Sequence, residues 1–183
     1  MNFRFQLYAL ALCGGAMSHA ATISVTSLAD SGAGSLRAAV TTAASGDTIN
    51  VVVAGTMTLT SGEIAVTKAL SIVGPGSSSL TVSGNGSSRI FKVSVTTAGA
   101  VDAPVSISGM TLTSGYAAGT CSTPATGSGG AIAATESLSL TDVAITSSYA
   151  ARNGGGIAWA LRRSGQQLTL TSVRLSGNTA GCA

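Results

Sequence analysis

Aromatic and charged side chains are scarce in this sequence, at 4% and 8% of its 183 residues. Gly, Ala, Ser and Thr dominate instead, which leaves too few large apolar side chains for the core of an ordinary globular domain. Intrinsic disorder is disfavoured as well, because disordered segments have few β-branched residues and Val, Ile and Thr are plentiful here. The composition therefore favours one domain with a narrow aliphatic interior and a surface of Ser and Thr.

Clustered positive charge is also missing. The formal net charge is +3, and no basic cluster is larger than the pair Arg162 and Arg163. A protein that binds nucleic acid normally carries a basic patch or stripe on one face. The sequence therefore predicts no nucleic-acid partner.

Histidine occurs once, at His19, inside a segment with the features of a secretory signal. Arg4 gives a positive start, a short apolar run follows, and Ser18 and Ala20 are small residues where signal peptidase reads. We expect 1–20 to be a signal peptide that is removed on export; the alternative is a hydrophobic helix of the folded domain. The run is too short for a transmembrane helix. Without His19, the mature chain has no imidazole for catalysis or metal binding.

One pattern occurs three times in the second half of the chain, at 105–117, 138–150 and 168–180. The copies are offset by 33 and then 30 residues, which is typical of a repeat fold. Aliphatic residues alternate with Ser and Thr at a period of two, which predicts strands rather than helices. In the second copy, Thr141 and Asp142 separate two alternating runs and are expected to turn the chain. We therefore predict an all-β fold in which pairs of short strands stack as the coils of a β-solenoid.

The mature chain is predicted to begin with a strand at Ile23 and Val25 and to contain one helix at 35–44. Ser35 can cap the start of this helix, and Gly46 is placed to end it. The apolar face of the helix consists of Leu36, Ala39, Val40 and Ala43. Because the first coil has no neighbour below it, we expect the helix to cap the stack.

The remaining chain is expected to form the stack itself. We assign 21–48 to the N-terminal strand and cap helix, and 49–183 to the parallel β-helix. Further strands are predicted at 49–53, 56–60, 70–74, 80–82 and 90–95. Asn85 and Gly86 tolerate positive φ and predict a tight turn after the fourth of these.

Two motifs near the N-terminus read Gly34-Ser35-Leu36-Arg37-Ala38-Ala39 and Gly46-Asp47-Thr48-Ile49. Together they resemble the start of bacterial exported β-helix proteins of the CSLREA type. They depart from that family at Gly34, which stands for Cys, and at Ala38, which stands for Glu. The resemblance implies a right-handed parallel β-helix with a short N-terminal capping helix.

Glycine-rich corners precede two further strands, at Gly129-Gly130-Ala131-Ile132 and Gly154-Gly155-Gly156-Ile157. They resemble the GGAI half of the polymorphic outer membrane protein repeat. The segment Leu175-Ser176-Gly177-Asn178 is similar to its Phe-x-x-Asn half, with Leu in place of Phe. In the two earlier copies, the residues at the position of Asn178 are Ser148 and Gly115. These resemblances point to the pectate-lyase-like superfamily of β-helices.

The pattern breaks off after Ala180, where the previous copy leads into a Gly corner. We expect a fragment of a longer protein or a truncated gene product; the alternative is an intact protein whose bare end dimerises or anneals. Cys121 and Cys182 remain after signal removal, and export permits a disulfide. A Cys121–Cys182 pair and a pair between Cys182 and a residue beyond this sequence both remain open.

No catalytic constellation stands out. The acidic residues, none adjacent to another, are Asp30, Asp47, Glu63, Asp102, Glu136 and Asp142. Glycoside cleavage usually needs two carboxyl groups about 5 to 10 Å apart. Asp142 stands at the bend between strands and is interpreted as a turn residue, while Asp102 lies in a loop before a strand. We therefore expect no pair of acids that could catalyse this reaction.

Other side chains that could bind a ligand have simpler interpretations. Arg89, Lys92 and Arg174 are expected to be single charges on a solvated surface. Tyr149 and Trp159 could stack on a sugar ring, but the favoured interpretation is a ladder of Tyr116 on Tyr149 across coils. The sequence predicts no catalytic, cofactor-binding or metal-binding residue, and no cofactor.

The family resemblance implies an exported protein, either extracellular or associated with the outer membrane or cell surface. Its expected role is that of a rigid scaffold, similar to an adhesin or an autotransporter passenger, with no catalytic activity of its own. The surface partner would be a glycan or a protein, presented with Ser/Thr ladders and the loop 119–128. The alternative is a fragment of a polysaccharide lyase or glycoside hydrolase, since fold alone does not decide function.

Overall fold

A computed structural model describes residues 20–94, 102–119 and 127–181. In these ranges the fold is mostly β, with one short helix, and every strand pair is parallel. The first elements are β1 (Thr22–Val25), α1 (Leu36–Thr42), β2 (Thr48–Val51), β3 (Gly55–Thr58), β4 (Ile64–Val66), β5 (Leu70–Val73), β6 (Leu80–Ser83) and β7 (Phe91–Val93). They are followed by β8 (Val105–Thr113), β9 (Tyr116–Ala117), β10 (Ile132–Ala134), β11 (Leu138–Thr146), β12 (Tyr149–Ala150), β13 (Ile157–Trp159), β14 (Leu168–Ser176) and β15 (Thr179–Ala180). Nearly all of the predicted signal peptide, and all three cysteines, lie outside the described residues.

The strands form three parallel sheets within the described ranges. Sheet 1 has the order β1-β2-β5-β8-β11-β14, with β3 and β6 joined to it beside β8. Sheet 2 has the order β13-β10-β7-β4, and sheet 3 has the order β15-β12-β9. From β8 onward the chain visits sheets 1, 3 and 2 in turn and then repeats the circuit.

The register between strands follows the repeat in the sequence. Leu138 pairs with Val105 on one side and with Leu168 on the other. Val105 in turn pairs with Leu70, the start of the unit expected before it. The alignment of the copies is therefore confirmed as the hydrogen-bonded register of sheet 1.

The core is built from aliphatic residues at alternating strand positions. Ile72, Ile107 and Leu140 occupy one column of sheet 1, and each is fully buried. Leu170 continues the column in register with Leu140 but is 45% exposed. Among the described strands, β14 has a neighbour on one side only, so its apolar side chains lack a covering layer.

Helix α1 begins where predicted and ends earlier. The Ser35 Oγ accepts a hydrogen bond from the Ala38 N–H at 3.2 Å, which confirms the N-cap. The apolar face of the helix joins the core beside sheet 1. The helix ends at Thr42 because Ala43 has left helical conformation, so Gly46 lies beyond the helix end. In the described part of the chain, no helix is long and apolar enough to cross a membrane.

Residues with positive φ mark the corners of the chain. The bends within β8, β11 and β14 fall at Gly109, Asp142 and Ser172, with φ of 65°, 51° and 53°. Asp142 is thus confirmed as a turn residue. The predicted turn at Asn85 and Gly86 is confirmed too, with φ of 57° and 61°.

Candidate functional site

Asp102 and Glu136, which are far apart in the sequence, lie close together at one edge of sheet 1. The Gln166 side-chain amide donates to Asp102 Oδ1 at 3.1 Å and to Glu136 Oε2 at 3.3 Å. The carboxyl groups of Asp102 and Glu136 also hydrogen bond to each other. This contact between Asp102 and Glu136 was not predicted from the sequence.

The repeat register explains why these side chains meet. Glu136 and Gln166 each lie two residues before the start of a paired strand, β11 and β14, and Asp102 lies three residues before β8. Parallel pairing in register brings these positions together on successive strands. An alignment of the three copies extended toward the N-terminus contains this signal, whereas adjacency along the chain does not.

The geometry of this carboxyl cluster (Asp102, Glu136, Gln166 and Arg163) indicates a structural role. Glu136 is 2% exposed, and Arg163 Nη1 lies 3.5 Å from its carboxylate. Burial alone would raise the pKa of Asp102, but hydrogen bonds from Ser137, Gln166 and Glu136 outweigh it and lower that pKa. Carboxyl groups in direct contact leave no space for a glycosidic bond between them. The cluster therefore holds together the loops that enter sheet 1.

A trough of about 1160 Å³ lies over the outer face of sheet 2. The outward positions of its four strands align in one column, Ala65, Lys92, Ala133 and Ala158. Lys92, Ala133 and Ala158 of this column line the trough, and two of these three side chains are methyl groups, so most of the floor is low. We call this concavity the sheet 2 trough.

Tyr116, one ring of a stacked pair, lines one side of the trough. The rings of Tyr116 and Tyr149 are stacked, with centroids 5.4 Å apart and planes inclined by 17°, so the predicted ladder is confirmed. The Tyr149 hydroxyl donates to the Gly181 carbonyl at 2.7 Å. Tyr116 lines the trough and is 36% exposed. The stack thus holds one aromatic ring at the edge of the groove.

Trp159 also lines the trough, but it is less exposed than Tyr116. It is in register with the buried Ala134, it packs partly buried against the core, and its indole N–H donates to the Glu136 carbonyl at 2.9 Å. Tyr149 likewise has one face covered by Tyr116. Of the aromatic residues weighed from the sequence, Tyr116 is therefore the one best placed for a ligand in the trough.

The trough carries more positive than negative charge. Arg89, Lys92 and Arg162 line it together with the acidic Glu63. Lys92 is 52% exposed and its Nζ lies 3.8 Å from Glu63 Oε1, and Arg162 is exposed. These two cations face solvent along the floor and the far side of the groove.

Arg89 is not the solvated surface charge that the sequence suggested. Its guanidinium forms an ion pair with Glu63 and donates to the carbonyls of Ser128 and Gly129, each at 2.9 Å. Its side chain is mostly buried. Arg89 therefore fixes the glycine corner before β10, while Arg174 on sheet 1 is exposed as expected.

Sheet 1 presents a different, hydroxyl-covered surface. A column of outward residues runs across six strands: Thr22, Thr48, Ser71, Ser106, Ser139 and Thr169. The Ser106 hydroxyl donates to the Ser71 hydroxyl at 3.0 Å, so the neighbouring strands β8 and β5 are linked by side chains as well as by backbone hydrogen bonds. Asp142 accepts from the Ser77 N–H at 3.1 Å and from its hydroxyl at 2.6 Å, and these bonds lower its pKa.

Among the described residues, no group of three or more His, Cys, Asp and Glu side chains is arranged to hold a metal ion. Comparison with known proteins found no matching family model, no similar curated protein and no similar solved structure.

Proposed function

We propose that this protein is an exported right-handed parallel β-helix, or β-solenoid, that serves as a cell-surface scaffold of the adhesin or autotransporter-passenger kind. The observation that carries the proposal is the circuit of the chain through three parallel sheets, with aliphatic columns in register inside them. A solenoid built in this way is rigid along its axis and presents long, regular faces to a partner.

The cap helix and the sequence motifs agree with this assignment. Helix α1 covers the core beside β1 and β2, as a terminal cap in a solenoid should. Its residues belong to the CSLREA-like motif, and the glycine corners belong to the motif that resembles the outer membrane protein repeat. Both resemblances are to exported proteins, and they support export through the segment 1–20.

The contacts and burial of the acidic residues favour a scaffold over an enzyme. Asp102 and Glu136 bind each other and Gln166, and Glu136 is buried. Asp142 is held in its turn by Ser77. Catalysis of glycoside cleavage needs separated, accessible carboxyl groups, which this arrangement does not provide.

Localisation tests the proposal directly. Intact cells that produce the protein would be treated with an external protease and labelled with an antibody against residues 127–181. We expect labelling that the protease removes, and no labelling for a matched variant that lacks residues 1–20. Protein retained inside the cell with its signal intact would overturn the proposal.

The alternative, a polysaccharide lyase or glycoside hydrolase fragment, predicts bond cleavage. Purified protein would be incubated with acidic and neutral polysaccharides while chain length is measured by size-exclusion chromatography. We expect no shortening of any substrate. Shortening by the wild type that Glu136→Gln abolishes would favour the enzyme instead.

A further inference from the structure

Strand β14 has an unpaired edge in the described part of sheet 1. It pairs with β11 on one side and has no described neighbour on the other. An edge strand presents a row of unpaired N–H and C=O groups, which can pair with a strand of another chain. Leu170 and Leu175 on this strand are 45% and 54% exposed, so an apolar surface accompanies the free backbone groups.

The usual protections of a sheet edge are missing from β14. Natural edge strands carry proline or inward-pointing charges, or are covered by a helix. Between 168 and 176 the sequence has no proline, and its one charged residue, Arg174, is in register with Ala144 at an outward position. At the opposite end of sheet 1, helix α1 packs beside β1 and its apolar face joins the core. The two ends therefore differ, and the covered end disfavours a head-to-tail contact.

A cavity of about 320 Å³ lies beside the same edge. It is lined by Gly156 and Ile157 at the start of β13 and by Leu175 and Asn178 at the end of β14. Two of these side chains are aliphatic, so the cavity suits an apolar side chain from a strand that pairs with β14.

The pattern of β14 is self-complementary when two copies run antiparallel. Leu168 and Leu170 precede the bend of the strand, and Val173 and Leu175 follow it. All four are in register with buried residues of β11 and therefore point inward. Directly opposed residues of an antiparallel pair lie on the same face. With the two-fold axis just before the bend, Leu168 meets Leu175 and Leu170 meets Val173. A slip of one residue would place each of them opposite a polar residue.

The outward positions are compatible with the same register. Thr169 lies opposite Arg174 of the second copy, so each guanidinium faces a hydroxyl group rather than the other guanidinium. Like charges directly opposite each other would destabilise the pair. Both faces of the paired strands therefore accept a second copy of this chain.

We propose that two copies of this chain associate through the free edges of β14 in this antiparallel register. Sheet 1 of one copy continues into sheet 1 of the other, and Leu168 of each copy lies beside the cavity at Leu175 of its partner. Because the same surface is used on both copies, the contact closes at a dimer and does not grow into a filament. The inference depends on the pairing of sheet 1 and not on the surface role proposed above.

Self-association would be measured by analytical ultracentrifugation of the purified chain across about a hundredfold range of concentration. A reducing agent keeps cysteine cross-links from contributing. We expect a reversible monomer–dimer equilibrium without larger species. The dimer should be weak, since one strand of each copy forms a small interface. At high dilution the chain should be a monomer in which β14 is uncovered.

One variant and its matched control locate the contact. Leu170→Lys places a charge twice in the apolar contact and should weaken association about a hundredfold or more. Val52→Lys adds the same charge at a 54% exposed aliphatic residue that follows β2, and it should associate as the wild type does. Circular dichroism would verify that both variants remain folded.

A second pair of variants tests the register. Thr169→Glu places a carboxylate opposite Arg174 in both copies and should tighten association about fivefold. In an Arg174→Gln background the same substitution should not tighten association, because the opposed charge is gone.

A monomer at every concentration would overturn the proposal, and so would open-ended polymers, which need a contact between unlike surfaces. Equal weakening by Val52→Lys would refute the location of the contact. An effect of Thr169→Glu that does not depend on Arg174 would refute the register. None of these outcomes bears on localisation, which tests the surface role separately.

Discussion

At the residue scale, Gly130 lies where successive turns of the chain come closest. A Cβ atom at this position would lie 2.1 Å from the Gly155 carbonyl oxygen and 2.5 Å from that of Tyr149. Both atoms belong to the backbone of the neighbouring rung and cannot rotate away. The absence of a side chain at this position therefore sets the spacing between rungs beside sheet 3.

Gly130→Ala should lower the free energy of unfolding by about 1–3 kcal/mol, because the added methyl group forces the rungs apart. Gly181→Ala is the matched control, since a Cβ there meets nothing within 4 Å. It should change stability by less than about 0.5 kcal/mol. Urea denaturation of the two variants measures the difference, and equal effects would contradict the close-contact argument.

Gln166 is the residue on which the carboxyl cluster depends. Its amide oxygen accepts from the N–H groups of Arg162 and Arg163 at 2.9 and 3.1 Å. Its nitrogen donates to the two carboxyl groups, so each polar atom of the side chain is used. A side chain that only accepts cannot replace it.

Gln166→Glu should destabilise the fold by about 3 kcal/mol or more at pH 7, because it places a third carboxylate beside Asp102 and Glu136. The loss should shrink from pH 7 to about pH 4, as the introduced carboxyl group takes up a proton. Gln167→Glu, at the exposed neighbouring position, should show little effect at either pH. Thermal melts across this pH range provide the measurement, and a loss independent of pH would point to packing alone.

Residue-level prediction from the sequence succeeded for backbone corners and failed for side-chain partners. Asp142 and Asn85 were identified because turn chemistry is local to a few residues. The partner of Glu136 is Asp102, 34 positions earlier, and the partner of Arg89 is Glu63. Such contacts depend on the loops between repeats, whose paths are not encoded by a local pattern.

At the element scale, the start of α1 is fixed by one buried hydroxyl. Ser35 is fully buried, accepts from the Ala38 N–H and donates to the Gly32 carbonyl at 2.7 Å. Its loss would leave the Ala38 amide hydrogen without this partner in a region of low exposure, whereas the Gly32 carbonyl would still accept from the Ser35 N–H at 3.2 Å. The cap helix is thus coupled to the loop that precedes it.

Ser35→Ala should destabilise the protein by about 1–2 kcal/mol through the lost N-cap. Thr41→Ala, on the exposed side of the same helix, is the control and should be nearly neutral. Chemical denaturation monitored by circular dichroism compares them. Matching losses in the two variants would contradict the capping argument, because Ala has the highest helix propensity and cannot destabilise the interior of the helix through propensity.

The strands were predicted better in position than in length. The second strand was expected at 49–53 and is Thr48–Val51, and the third was expected at 56–60 and is Gly55–Thr58. Alternation of apolar and polar residues continues past the last paired residue, so it cannot mark where pairing stops. Each repeat was expected to contain a pair of short strands separated by a turn, whereas the structure has one nine-residue strand with a positive-φ residue near its centre.

At the scale of the whole molecule, aspartates tie separate elements together. The Asp47 carboxylate accepts from the N–H groups of Ala21 and Ala44 at 2.8 and 2.7 Å, and these bonds lower its pKa. Burial would raise the pKa of Asp30, but hydrogen bonds from Ser61 and Arg37 prevail and hold that pKa well below its ordinary range. Each of these carboxylates binds best when it is ionised.

Stability should therefore fall in acid. A depressed pKa in the folded state gives a contribution that is fully present above the unfolded pKa of about 4 and is lost as the pH falls through the folded value. We expect the melting temperature to be level from about pH 5 to 7 and to drop below about pH 4. Asp47→Asn should flatten this drop, and a melting temperature unchanged down to pH 2 would contradict the assignment.

Stability should also vary along the stack. The final strands β13, β14 and β15 have a paired neighbour on one side only in the described sheets, and Leu170 and Leu175 are 45% and 54% exposed. Each of these strands has backbone hydrogen bonds to one rung, whereas β11 is bonded to rungs on both sides and its apolar residues are buried. Because β14 pairs with β11 alone among the described strands of sheet 1, it can open without disturbing the pairing of β11 with β8.

Hydrogen exchange should reveal this gradient. We expect the amides of 168–180 to exchange much faster than those of 138–146, which repeat the same sequence pattern one rung below and serve as an internal control. Asn178 donates to the Ile145 carbonyl at 2.7 Å and accepts from the Ser148 N–H at 3.0 Å, so Asn178→Ala should speed exchange in the last rung further. Equal or greater protection of 168–180 at high dilution would mean that these strands are covered in solution. It would contradict the conclusion that Leu170 and Leu175 lack a covering layer.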